Sequence, residues 1–381
     1  MAPKMKKAKI NKQITQQEVA KEEEIINQNF SLRVVMHVIQ QHLANNMSVL
    51  LGHVDVGELN ESARKLSDIV KGSDHKNGPK ISSANAVWLD RRFSLKAAFK
   101  KILRDVHDAQ VRVVDFVNKA DKVVKEANSW AEEKTNGLIK QILTRDDIKT
   151  DTCLLLANAL YFKGTWHKAF ESKNTKHDDF TLLNGDKVRV PFMNQWNEYF
   201  DYGTSDECQV LKMSYRKGAS SEAFSMYVFL PYEKNGLPNL LGKMMIDPNS
   251  FINQVKLKTA KISKLSILKF DFESNIDLKK PMKELGLTLP FKKGCMDFSG
   301  IIDSPLPLYV SDVVQKCRVK TNERGTEAAA ATHARVTFFC AVQYLNPPPP
   351  INFVADHPFM FMTREDNSGC GIFVGTILNP R

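Results

Sequence analysis

The stretch NERGTEAAAATHARVTFFCAVQYLNPPPPINFVADHP, residues 322–358, decides how this 381-residue chain is interpreted. A glycine at position 325 precedes a run of small residues, 326–332, and four prolines follow at 347–350. Composition favours a helix over residues 328–331, because alanine is the best helix former. Alternation favours a strand instead, since successive strand side chains point to opposite faces.

As a strand, this stretch has one small, uncharged face and one face that holds its charged or titratable side chains. The uncharged face carries Thr326, Ala328, Ala330, Thr332 and Ala334, and the other carries Glu327, Ala329, Ala331, His333 and Arg335. A shift by one residue would bury the charges, so the register is specified. We therefore expect an exposed loop in one state and a buried strand in another. A flexible alanine-rich linker is the alternative.

Five runs of the chain are similar to motifs of one protein family. They are VSDVVQKCRVKTNERGTEAAAAT (310–332), FVADHPFMF (353–361), FVGTILNP (373–380), NALYFKGTW (158–166) and ANSWAEEKTNGLI (127–139). Together they resemble the serpins, the serine protease inhibitor family, and insect serpins among them. The resemblance spans roughly residues 82–381. It implies an α+β fold in a single domain, with helices packed on large mixed sheets and an exposed reactive loop, about residues 323–350, near the C-terminus.

Composition and charge agree with one globular domain. Hydrophobic residues make up 43% of the chain, enough for a large core, and no Gly/Ser linker or repeat divides it. The net charge of +11 is concentrated partly in five lysines before position 13. Residues 1–28 are therefore predicted to be a basic, flexible tail and residues 29–381 the serpin domain. We expect neither nucleic-acid binding nor a membrane span.

Localisation is indicated by two weak signals. No apolar segment of a signal peptide follows the lysines. The sequons at Asn29, Asn46 and Asn60 favour a secreted protein whose signal has been removed. An intracellular protein is the alternative.

The region of residues 46–80 departs from the family pattern. Residues 46–80 are too few for the helices that serpins have there, and no Ser-Pro-x-Ser stretch occurs, so that Ser48 is the only stand-in. The early helical region is predicted to be shortened. Because this region includes the heparin-binding helix of some relatives, we do not expect activation by heparin.

No pattern of an enzyme, metal site or cofactor site is present. The chain has no GxSxG, HExxH, GxxxxGK[ST] or strand-linked GxGxxG motif, and its six cysteines include no CxxC. We expect a monomer that is not an enzyme, has free thiols and needs no metal or cofactor. Periodicity predicts helices at 93–104 and 120–135, strands at 111–116, 153–162, 210–213, 224–231 and 265–272, and a hairpin over 359–378.

The resemblance implies suicide inhibition of a protease. The protease attacks the loop and forms an acyl-enzyme, and the cut loop inserts as a strand into the main sheet. The hinge residues are Glu323, Gly325, Thr326, Ala328, Ala330 and Thr332. Gly325 supplies backbone freedom, and the alternate residues after it are small and uncharged. This pattern favours an inhibitory member of the family.

The resemblance also implies a sheet-opening region and a cleavage position. Asn158 and Trp166 match the family pattern, whereas Gln315 occupies the position of a histidine and Arg324 that of an acidic residue. Counting from Gly325 as inhibitory members do places the reactive bond at Phe339–Cys340, with Phe338, Thr337 and Val336 as subsite residues.

Two protease classes suit this loop equally. Phe339 favours a chymotrypsin-like serine endopeptidase, and Phe338 a papain-like cysteine endopeptidase. Later cleavage near Tyr344 or Leu345 is an alternative, because the prolines at 347–350 stiffen an extended loop. Two other functions stay open. One is a reversible inhibitor whose loop binds without insertion, and the other is a non-inhibitory serpin-fold carrier or chaperone.

Overall fold

The computed structural model describes residues 78–218, 222–246, 255–284, 287–295, 298–326, 349–369 and 371–381. Several predictions lie outside these ranges. They are the basic tail (1–28), the three sequons, Ser48, the shortened helical region up to residue 77 and the reactive loop between residues 327 and 348.

Fourteen strands and four α-helices occur in the described ranges. The strands are β1 (Lys80–Asp90), β2 (Ala109–Val114), β3 (Leu154–Thr165), β4 (Lys176–Thr181), β5 (Lys187–Thr204), β6 (Cys208–Ser214), β7 (Phe224–Pro231), β8 (Lys258–Leu268), β9 (Phe270–Asp277), β10 (Val310–Asn322), β11 (Gly325–Thr326), β12 (Ile351–Val354), β13 (Phe359–Glu365) and β14 (Gly371–Ile377). The α-helices are α1 (Ala97–Asp105), α2 (Ala120–Lys134), α3 (Leu237–Ile246) and α4 (Lys279–Glu284).

The strands form two sheets. The first has the order β2-β1-β3-β11-β10-β9, and the second has the order β12-β8-β5-β6-β7-β13-β14, with β4 paired to β5. The first sheet is mixed, because β1 is parallel to β2 and β3 is parallel to β10, whereas β1 and β3 are antiparallel. An α+β fold with large mixed sheets is therefore confirmed.

The main core lies between the two sheets, and a second core lies under α2. Phe162 of β3 contacts the rings of Phe224 and Phe373 in the second sheet, with centroids 5.9 and 6.4 Å apart. On the outer face of the first sheet, Trp88 meets Trp130 of α2 edge to face at 5.2 Å. The helix α2 therefore lies across the outer face of the first sheet, as the resemblance implies.

The predicted helix over residues 120–135 is confirmed, and it buries Val123, Ala127, Trp130 and Ala131 and partly buries Val124. The helix expected from residue 93 begins only at Ala97, since Leu95 forms a β-bridge to Ile302.

The prediction of one strand over residues 265–272 is wrong. The chain changes sheets at Lys269, whose amide donates to the carbonyl of Pro191, so β8 ends before it and β9 begins after it. In the described part of the chain, no helix is long and apolar enough to cross a membrane.

Candidate reactive-loop slot and hinge

The strands β3 and β10 are direct neighbours over most of their length but separate at one end. Direct pairing runs from Leu154 to Tyr161 on β3. Beyond it, β11 lies between the two strands and is antiparallel to both, so that Thr326 pairs with Gly164 of β3 and with Thr321 of β10. We call the boundary between β3 and β10 the slot and residues 323–326 the hinge.

Gly325 occupies a position that no other residue fits. Its φ angle is +145°, and a Cβ atom added there would lie 2.0 Å from the carbonyl oxygen of Gly164. A side chain would therefore break the first contact between β11 and β3. The backbone conformation at this position therefore requires glycine, and the role of Gly325 as a pivot stays a prediction.

Thr326 is fully buried and points into the core between the two sheets. Its hydroxyl lies 2.8 Å from the hydroxyl of Tyr215, whose pKa is raised by burial, so the phenol stays protonated. The Tyr215 ring stacks on Trp166 with centroids 4.4 Å apart. Trp166 in turn donates from Nε1 to the carbonyl of Asn322 and from its amide to the carbonyl of Arg324. Trp166 and Tyr215 thus hold the hinge from the side of the second sheet.

Glu323 is buried and anchors the start of the hinge. Its carboxylate accepts a 2.8 Å hydrogen bond from Thr175 and lies 3.2 Å from the Nζ of Lys269. Burial alone would raise the pKa of Glu323, but hydrogen bonds from its own amide and from Thr175, together with Lys269, outweigh burial and lower that pKa. Arg324, the next residue, is exposed.

A row of buried amide side chains crosses the slot, and we call it the amide row. Gln315 of β10 donates to Asn158 of β3 at 3.4 Å, Asn158 donates to Asn85 of β1 at 2.8 Å, and Asn85 donates to the carbonyl of His107 at 2.8 Å. The Oε1 of Gln315 is buried and meets no N–H or O–H donor among the described residues. The row ties together the two strands that must separate for a third strand to enter.

The segment after α2, residues 135–144, is held against β10 by two cations. Lys316 donates to the carbonyl of Gln141, and Arg318 donates to the carbonyl of Leu138 at 3.0 Å. Each cation is also paired with a carboxylate of β9. Opening the slot along its full length therefore requires these bonds to break.

Asp312 lies at the end of the slot opposite to the hinge, where β10 begins. Burial, and then the nearby Asp277 carboxylate, raise the pKa of Asp312 to about 6, although the amide of Val313 and the Lys279 amine oppose this. Because the folded-state pKa lies above the unfolded value, the native state favours the protonated carboxyl. Its contribution to stability is present at acid pH and is lost as the pH rises through about 6.

We therefore expect Asp312→Asn to stabilise the protein at pH 7.5 by about 1–2 kcal/mol and to change little at pH 4. The asparagine amide donates to Asp277 as the protonated carboxyl does. Denaturant unfolding at both pH values measures the difference, and Asp303→Asn, at an exposed carboxylate, is the control. An equal effect at both pH values would contradict the assignment.

The structure brings together six of the predicted site residues around the hinge and the slot. They are Glu323, Gly325, Thr326, Asn158, Trp166 and Gln315. The other predictions lie outside the described residues, namely the hinge positions Ala328, Ala330 and Thr332, the subsite residues Val336, Thr337 and Phe338, and the reactive bond Phe339–Cys340. Sequence reasoning missed Asn85, Tyr215 and Lys269, which reach the site from other strands.

Comparison with known proteins identifies the family. The family model described as serpin, serine protease inhibitor, matches residues 26–380. The chain belongs to the serpin family. This serpin is 41% identical over 320 residues to Serpin-Z10 of Arabidopsis thaliana. The alignment covers 83% of this chain and 80% of Serpin-Z10. Members of the family are typically protease inhibitors.

Solved serpin structures agree with the fold. AtSerpin1 of Arabidopsis, in the native stressed conformation, aligns with a TM-score of 0.81 and 33% identity over 96% of both chains. Serpin48 of the insect Tenebrio molitor aligns with a TM-score of 0.78 and 26% identity, over 93% of this serpin and 90% of that chain. The plant serpins thus match at higher identity than this insect serpin, although the motifs alone suggested insect serpins.

Proposed function

We propose that this serpin inhibits endopeptidases by insertion of its reactive loop into the slot. The observation that carries the proposal is the position of β11, which already lies antiparallel between β3 and β10. A third strand continuing from Thr326 finds backbone partners on both sides once the two strands separate. Each added residue of the antiparallel strand forms backbone hydrogen bonds to β3 or β10. Insertion is therefore favourable along the whole slot.

The register of β11 predicts where each loop residue goes. In the inserted form, even-numbered residues after Thr326 are expected to point into the core, because Thr326 does. Continuing the pairing of Thr326 puts three of them between residues of β3 and β10, namely Ala328 between Phe162 and Val319, Ala330 between Leu160 and Cys317, and Thr332 between Asn158 and Gln315. Only small, uncharged side chains fit there without strain, and these positions hold such residues.

The proposed chemistry is that of an interrupted peptide hydrolysis. The protease nucleophile attacks the carbonyl carbon of Phe339, the amine of Cys340 leaves, and an ester or thioester joins the two proteins. Val336 then pairs with Leu154, the first residue of β3, when insertion is complete. Residues 326–336 span roughly 35 Å as a strand, so the attached protease is carried to the opposite end of the sheet and its active site is distorted.

Thr332 offers a test of this register. In the inserted form its hydroxyl lies beside the Oε1 of Gln315, which no N–H or O–H group of the described residues satisfies. We expect Thr332→Val to lower the stability of the loop-cleaved protein by about 1 kcal/mol and to leave the intact protein unchanged. Guanidinium unfolding of both forms measures this, and an effect on the intact form alone would contradict the register.

The target is proposed to be a chymotrypsin-like serine or a papain-like cysteine endopeptidase. Phe339 just before the cut suits the first class, and Phe338 one residue earlier suits the second. A reversible inhibitor is the second candidate, and a specific observation favours it. The bonds of Lys316 and Arg318 to the segment over the slot oppose opening, so the loop would bind and release without insertion.

The deciding experiment incubates the protein separately with a chymotrypsin-like and a cathepsin L-like protease. A denaturing gel shows whether a covalent complex forms, and mass spectrometry locates the cut. A complex that survives denaturation, with cleavage at Phe339–Cys340, supports trapping and identifies the class. Inhibition without this complex supports reversible binding. Cleavage without inhibition contradicts both and leaves a non-inhibitory carrier.

A further inference from the structure

Two large aromatic side chains of β5 are exposed to solvent. Trp196 is 45% exposed and Tyr199 is 56% exposed, whereas the next aromatic residue of the strand, Phe200, is 7% exposed and lies in the main core. Tryptophan is highly buried on average, and Trp and Tyr are enriched among the residues that contribute most to binding at interfaces.

The backbone between them is arranged so that both face solvent. In a regular strand, residues three apart point to opposite faces, yet Trp196 and Tyr199 are both exposed. Asn197 accounts for this, because its φ of +57° lies in the left-handed region and interrupts the alternation. Asparagine tolerates this region better than most residues. Local strain of this kind is often retained where a side chain must be presented.

The neighbouring strand β8 adds positive charge to the same surface. Lys264 pairs with Trp196 and Lys261 pairs with Tyr199, and directly paired residues share a face of the sheet. Neither lysine forms an ion pair within the described residues, which leaves both charges available to a partner.

The acidic residues on this part of β5 are largely engaged. Glu198 pairs with Lys168 at 3.2 Å, and Asp201 accepts a hydrogen bond from Thr259. With Lys168 counted against Glu198, Lys261 and Lys264 together outweigh Asp201. The surface therefore favours an acidic partner.

This surface lies beside both attachment points of the reactive loop. On one side, β12 follows the loop directly, and its first residue Ile351 pairs with Ile262 of β8, which in turn pairs with Glu198 of β5. On the other side, Tyr199 and Trp166 line one cavity of about 110 Å³, and Trp166 binds the backbone of the hinge. A protein held by the loop therefore approaches this surface.

We propose that Trp196, Tyr199, Lys261 and Lys264, here called the docking face, bind an acidic patch on the target endopeptidase outside its active site. The inference rests on the proposed function for the identity of the partner. The loop selects by the cleaved sequence, and the docking face selects among proteases of the same cleavage preference by their surface charge. Docking raises the association rate of the two proteins, and this increase becomes smaller as the salt concentration rises.

The test separates docking from cleavage by using a protease that cannot cut. A cathepsin L-like endopeptidase of acidic isoelectric point is alkylated at its catalytic cysteine, and its binding to the immobilised full chain is measured by biolayer interferometry. We expect binding in about 0.05 M NaCl and loss of most of it in about 0.5 M NaCl. Trp196→Ala/Tyr199→Ala and Lys261→Glu/Lys264→Glu should each weaken binding by about tenfold or more.

Matched controls exclude general effects of charge and folding. Lys100→Glu/Lys101→Glu makes the same charge change on α1, at the end of the first sheet far from the hinge, and should bind as the unchanged protein does. Thermal unfolding confirms that each variant is folded. A blocked protease of basic isoelectric point should not bind.

Failure of docking and failure of the proposed function give different results. If the alkylated protease does not bind the unchanged protein, or binds the docking-face variants equally well, the docking face is rejected. The active protease is run in parallel on a denaturing gel. If it yields neither inhibition nor a stable complex, the proposed function is rejected, whatever the blocked enzyme does.

Discussion

Replacing Ala328 by arginine is expected to abolish covalent trapping and to convert the protein into a substrate that is cut without inhibiting. In the proposed inserted form, continuing the register of β11 puts residue 328 in the core between Phe162 and Val319, which are 1% and 7% exposed. A guanidinium there has no counter-ion, and an unpaired buried charge costs several kcal/mol. Insertion then stops after Thr326, and the acyl-enzyme hydrolyses before the protease is displaced.

The matched control is Ala329→Arg. Residue 329 points to the outer face of the inserted strand, the same face as the native Glu327 and Arg335, so its charge is expected to be tolerated. The yield of complex on a denaturing gel and the number of inhibitor molecules consumed for each protease inhibited measure both variants. Trapping by Ala328→Arg at the level of the unchanged protein would show that insertion is not the mechanism.

Replacing Glu323 by lysine is expected to have the largest effect on the stability of the intact protein. The substitution removes the acceptor of the Thr175 hydrogen bond and places a second cation beside Lys269. Since residue 323 is buried, we expect a loss of about 2–3 kcal/mol and a fall in the unfolding temperature of roughly 5 °C. The hinge loses its anchor, so the slot opens more readily.

Two comparisons isolate the cause. Glu323→Gln keeps an acceptor for Thr175 without the charge and should be affected less, and Glu171→Lys reverses an exposed carboxylate nearby and should be nearly neutral. The pKa of Glu323 is lowered in the folded state, so its stabilisation is present above the unfolded pKa of about 4.3 and is lost as the pH falls through the folded value. Equal unfolding temperatures for Glu323→Lys and Glu171→Lys would contradict the anchoring role.

Sequence alone was sufficient for the parts of the site that depend on local pattern. The glycine at position 325 and the strand containing Asn158 follow from spacing and from family motifs, whereas the register of the small residues after Thr326 stays a prediction. Side chains that meet the hinge from distant strands have no such signal. Tyr215 and Lys269 are more than fifty residues from the hinge in the sequence. The apolar pattern around each of them predicts only an ordinary strand and gives no sign of a contact with the hinge.

The amide row shows the same limit in another form. Gln315 is recognisable from the sequence as a departure at a known position. The hydrogen bonds that link it through Asn158 to Asn85, however, depend on which strands pair and in which register. The change of sheet at Lys269 was missed for a related reason, because the alternation of apolar residues continues on both sides of the corner.

Under the proposed mechanism, we expect the position of β11 also to give the intact protein a limited lifetime. Gly325 and Thr326 have already paired in the slot, and under the proposed mechanism the following residues can do so without any protease. Purified protein kept warm is then expected to lose inhibitory activity by a first-order process, while it stays monomeric and becomes harder to unfold. Lys316 and Arg318 set the half-life through the segment that they hold over the slot, so the age of a preparation matters as much as its concentration.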